Sequence, residues 1–117
     1  MATFELPQGD RTLRIEGAFL AHASSRQGEA PRWTELALYR TDSGRYVLAG
    51  VGKSAVAGEV DRPWVKVADG PEGAVDFLYM RDDAGVRYMT RAAKAVAAEA
   101  AVADADFGSA WNVEVLD

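Results

Sequence analysis

Two runs rich in aromatic and β-branched residues, 33–41 and 45–51, stand on either side of Asp42-Ser43-Gly44. A three-residue link ending in glycine suits a β-hairpin whose last loop residue is left-handed. No other feature constrains the chain as strongly, because a hairpin fixes two antiparallel strands and the rest of the fold must cover their apolar side chains. Leu36, Leu38, Val47, Ala49 and Val51 are expected on one face and Trp33, Tyr39, Tyr46 and Leu48 on the other, so both faces need some cover.

Upstream, Leu13, Ile15, Gly17, Phe19 and Ala21 alternate with Thr12, Arg14 and Glu16, the period of two of a half-buried strand. Phe4 and Leu6 are expected to pair at an edge. The segment Arg26-Gln27-Gly28-Glu29-Ala30-Pro31 has loop composition. Residues 52–63, with Gly52, Gly58 and Pro63, read as an irregular crossing, followed by a short strand over residues 64–67.

The second half changes period. Asp69 and Glu72 have capping-box spacing and Pro71 suits a first helical position, which predicts a helix over residues 71–81 interrupted by Gly85. Asp82 and Asp83 are expected to cap the next helix, over residues 86–104. There Val86, Met89, Ala93, Val96, Ala100 and Ala103 recur at spacings of three and four. Gly108 is expected to end it, and Trp111-Asn112-Val113-Glu114-Val115 to form a last strand returning to the sheet. The expected fold is therefore α+β: a single domain over residues 1–117. Its N-terminal antiparallel sheet has four or five strands, with two C-terminal helices on one face and a final short strand. A chain of 117 residues is long enough for one hydrophobic core.

Function is constrained mainly by exclusion. Without cysteine there is no disulfide, thiolate metal site or cysteine nucleophile. His22 is the one histidine, with no second histidine or catalytic spacing around it, and Asp82-Asp83 lacks the further carboxylates of a calcium loop. No catalytic residue, metal or cofactor is expected. No apolar run reaches the roughly 18 residues of a membrane span, and no leader is visible, so the expected location is the cytoplasm.

Charge is uneven. Residues 1–66 carry nine Lys/Arg against eight Asp/Glu, and residues 67–117 carry four against ten, within a net charge of −5. That balance disfavours nucleic acid, although Arg32, Arg40 and Arg45 are spaced along the hairpin. Gly50-Val51-Gly52-Lys53-Ser54 follows an apolar strand as a phosphate-binding loop would, but Val47 replaces the first glycine of that motif and the following residues are poor helix formers. Nucleotide binding or hydrolysis there is the alternative reading.

The leading expectation is a non-enzymatic protein-binding module. On the helix over residues 86–104, Tyr88, Ala95 and Val102 recur every seven residues beside Ala92, opposite the core-facing side. These four small or apolar residues are the candidate protein-binding strip, for a second copy or another protein.

The stretch Trp33-Thr34-Glu35-Leu36-Ala37-Leu38-Tyr39-Arg40 through Lys53-Ser54, with Gly58-Glu59, Arg62-Pro63-Trp64 and Arg87-Tyr88-Met89-Thr90, resembles uncharacterised small proteins of actinobacterial bacteriophages. The resemblance covers about two thirds of the chain. It implies a phage accessory protein made in the host cytoplasm and binding a host component, and it assigns no site residue.

Overall fold

A computed structural model describes residues 2–112. Five strands, β1 (Ala2–Gln8), β2 (Arg11–Ser24), β3 (Arg32–Thr41), β4 (Tyr46–Ser54) and β5 (Arg62–Ala68), form one antiparallel sheet in sequence order. Three helices follow, α1 (Pro71–Leu78), α2 (Arg91–Ala103) and α3 (Ala105–Asn112). A two-stranded ladder, β6 (Met80–Arg81) with β7 (Arg87–Tyr88), lies between α1 and α2. The α+β class and the antiparallel N-terminal sheet are as the alternation implies.

The hairpin closes as its loop residues dictate. Gly44 takes φ 85° and donates its N–H to the Thr41 carbonyl, while the Thr41 N–H donates to the Arg45 carbonyl. This register sets Leu38 opposite Leu48 and Leu36 opposite Gly50, and Tyr39 opposite Val47. The expected faces are thereby corrected. Tyr46 and Leu48 share the face of Leu36 and Leu38, whereas Val47, Ala49 and Val51 lie with Tyr39 on the other, because directly paired residues point the same way.

A second correction concerns β2. A bulge between Phe19 and Ala21 shifts its register against β3, so the alternation changes phase within one strand. Phe19 is 47% exposed, while Leu20 and Ala21 both enter the core, Ala21 at 0%. The run Leu13 to Ala21 therefore does not share a single face.

The sheet curls, bringing β1 toward β5, where the Gly9 N–H meets the Pro63 carbonyl at 3.4 Å. Inside the curl, Leu6, Ile15 and Val47 pack with Phe4, Leu13, Tyr39, Ala49 and Val65. On the opposite face the helices bury Leu38, Tyr46 and Leu48 against Ala74, Leu78, Val96, Ala100 and Phe107. At about 25 cal/mol per Å² of apolar area removed from water, such burial is the main stabilising term of both layers.

The helix boundaries differ from the periodic reading. α1 is capped by Gly70 without a side-chain hydrogen bond, so the Asp69/Glu72 box does not form, and the helix ends at Leu78. Residues 80–88 are a small hairpin, not helix. Asp82 Oδ1 accepts from the N–H groups of Ala84 and Val86 at 2.9 Å, and Gly85 completes the turn. Asp82 thus caps a turn rather than a helix. Thr90 is the true N-cap of α2, accepting from the Ala93 N–H at 3.1 Å. Gly108 and Trp111 lie within α3, which removes residues 111–112 from the expected last strand; residues 113–115 lie outside the described residues.

Candidate functional site: an aromatic cleft beside the edge strand

Alternation on β5 places Arg62, Trp64 and Lys66 on the helix-covered face of the sheet. Trp64 pairs with Gly50, and its indole packs against that glycine: a Cβ at position 50 would stand 2.1 Å from the ring. Only glycine admits this approach. The indole becomes the side wall of a cleft of about 500 Å³, whose floor is Leu36, Leu48 and Thr34. Phe77 and Leu78 of α1, Met80 and Tyr88 of the small hairpin, and Ala92 and Ala93 of α2 complete it. The volume falls within the range of about 300–1,000 Å³ usual for ligand sites.

Lys66 is the one charged side chain among the described residues lining this cleft. Its ammonium lies 5.5 Å from the Trp64 ring centroid and 5.7 Å from that of Phe77, within cation–π range of both. The mouth is held in place from outside. Arg87 pairs with Asp76 of α1 at 3.2 Å and stacks over Tyr79 at 4.0 Å, tying the small hairpin to the helix.

A second, more polar hollow of about 730 Å³ adjoins it at Thr34, near the far ends of β3 and β4. Here the structure gathers Arg32, Lys53, Ser54 and Arg62 with the loop residue Glu59. Arg32 pairs with Glu59, Ser54 Oγ donates to the same carboxylate at 2.6 Å, and Lys53 approaches Asp61 at 3.5 Å. The Arg32 guanidinium, and then Ser54, pull the Glu59 carboxyl down to about 2. Residues 50–54 belong to β4, hydrogen-bonded in register to β3 and, through Gly52, to β5. No helix follows them, so their amides are not arranged as in a phosphate-binding loop.

The three hairpin arginines are not brought together. Arg40 binds Asp104 at 2.7 Å and Asp106 at 2.8 Å, and Arg45 approaches Asp69 at 3.7 Å. Asp104 also accepts from the Tyr46 hydroxyl at 2.5 Å, and is the one buried charged residue among the described residues. Burial, followed by the neighbouring carboxylate, raises the Tyr46 pKa above its ordinary value. This network locks the α2–α3 junction onto the sheet. His22 meets Glu35 across the strands at 3.1 Å.

Of the expected strip, Tyr88 and Ala92 line the aromatic cleft, Tyr88 from β7 and Ala92 from the buried side of α2. Ala95 and Val102 are exposed on α2, away from it. The four therefore do not form one helix face, because α2 begins after Tyr88. The sequence offers Trp64, with Trp33 and Trp111, as core packing or an interface anchor without choosing among them, and it does not mark Lys66, Phe77 or Met80 as site residues. No helix among the described residues is long and apolar enough to cross a membrane. No family model, curated protein or solved structure matches the chain.

Proposed function

We propose that the protein is a non-enzymatic protein-binding module that receives a partner at the aromatic cleft, the partner being a host cytoplasmic protein if the phage resemblance holds. The observation that supports this reading is the apolar rim. Met80 is 51%, Val86 58% and Tyr88 43% exposed on one small hairpin, beside a cleft walled by Trp64 and Phe77. Exposed apolar and aromatic side chains clustered around a concavity are the usual anchors of protein interfaces.

Met80→Glu and Tyr88→Glu test it, because both positions are half exposed and neither contributes to the buried core. A partner captured by the wild-type chain should be lost with either variant while Tm is unchanged. Equal capture by all three chains refutes the reading. Nucleotide binding at residues 50–54, the alternative, requires magnesium-ATP or magnesium-GTP to raise Tm and Lys53→Ala to abolish the rise. The extended, paired backbone of that stretch weighs against it.

A further inference from the structure

We propose that the cleft receives an acidic peptide segment of the partner, with a bulky apolar side chain entering between Trp64, Phe77 and Tyr88 and an adjacent carboxylate meeting Lys66. This rests on the protein-binding reading and specifies its chemistry. Charge complementarity carries it. Arg14, Arg32, Arg40, Lys53 and Arg87 each face a carboxylate of the same chain. Of the cationic side chains that make no ion pair among the described residues, Lys66 is the one that lines the cleft, and Arg62 stands on the other side of Trp64 on the same sheet face.

The Lys66 ammonium is held over two aromatic rings instead. A carboxylate placed there gains a charge-assisted hydrogen bond without displacing an internal partner. A nucleic acid strand fits less well. An extended phosphate backbone needs a track of cationic side chains, whereas Lys66 is the one charged side chain among the described residues lining the cleft, which suits a single carboxylate.

The full-length, nitrogen-15-labelled chain is titrated with the acetylated, amidated peptide Gly-Trp-Glu-Gly and followed by amide chemical shifts. Shifts are expected at Trp64, Lys66, Phe77 and Tyr88, with binding roughly 3- to 5-fold tighter than for Gly-Trp-Gln-Gly. Lys66→Ala should erase that ratio, and Lys66→Glu should reverse it in favour of Gly-Trp-Lys-Gly. Shifts scattered elsewhere, or none at millimolar peptide, overturn the proposal, as does a ratio that survives Lys66→Ala.

Indole-3-acetate binding as tightly as the peptide reassigns the cleft to a free aromatic acid, and tighter, salt-sensitive binding of octathymidylate reassigns it to nucleic acid. Either outcome rejects the peptide. If the charge preference fails but Met80→Glu still releases a captured protein, this chemistry is wrong and the protein-binding reading stands. If the preference holds and nothing is captured, the chemistry stands without that reading.

Discussion

Two ends of one sheet face have been put to different uses. Near the β3–β4 turn, Leu38 and Tyr46 are sealed beneath α2 and α3, with Asp104 tied to both Arg40 and Tyr46. Toward the opposite ends of the strands, Arg62, Trp64 and Thr34 of the same face keep contact with solvent. The alternation that points these side chains is the same, so the difference lies in reach. An eight-residue helix such as α1 spans about 12 Å, whereas the nine residues of β4 extend about 30 Å. Where helix runs out, the residues that would have been core become the floor and walls of a cleft.

Substitutions can break the sealed end without touching the open one, and the reverse. Phe107 is fully buried and its ring lies 6.2 Å from that of Tyr46. Phe107→Ala should cost about 3–5 kcal/mol in denaturant unfolding, and a loss under 1 kcal/mol contradicts the packing described. Gly50→Ala probes the boundary between the two ends. Its new methyl group must displace the Trp64 indole, at a cost of about 2 kcal/mol, with a shift in tryptophan emission that Phe107→Ala does not produce.

Tyr46→Phe keeps the ring and removes the hydroxyl that donates to Asp104, which retains Arg40 and the Asp106 N–H. A loss of about 1.5 kcal/mol is expected. An unchanged unfolding curve means that the short contact contributes nothing.

The polar hollow adds a pH dependence. The Glu59 carboxyl, held at about 2 by Arg32 and Ser54, lies below its ordinary value of 4.5. The unfolded chain therefore binds this proton first as pH falls. Glu59 stabilises the fold above about pH 4.5, and that contribution is lost progressively toward pH 2. Comparing unfolding at pH 5 and pH 3 should show a shallower decline for Glu59→Gln than for the wild type; parallel declines refute the assignment. The smallest effect is expected from Ala95→Glu, on the exposed side of α2, which should alter stability by no more than about 0.5 kcal/mol. Ala92→Glu, three residues earlier but buried in the core, should destabilise far more.

That last pair marks a limit of the sequence reading, which places Ala92 and Ala95 on one strip although the structure buries the first and exposes the second. Local signals with one physical solution were legible: the glycine-terminated loop at residues 42–44, the alternation within each strand beside it though not which faces of β3 and β4 coincide, and the small-residue face of α2 at Ala93, Val96 and Ala100. Phase was not legible where two signals compete. Val86 and Met89 continue the spacing of α2 by coincidence, while Asp82 and Gly85 make a turn and Thr90 supplies the real cap. The cleft was missed for a related reason. It draws on β3, β4, β5, α1, β6, β7 and α2, and no single stretch of sequence records that they meet.

The bulge in β2 has a further consequence for how such a chain can change over generations. Residues 11–17 pair with β1 and residues 17–24 with β3, and the bulge falls inside the second stretch, so that Leu13 and Ile15 pack inside the curl while Leu20 and Ala21 enter the helix-facing core. Losing Leu20 would leave every pairing of β2 with β3 in place, Phe19 with Tyr39 and Ala21 with Leu38, and would remove one buried side chain from the helix-facing core, so the bulge works as a splice that absorbs one residue of length without moving either layer.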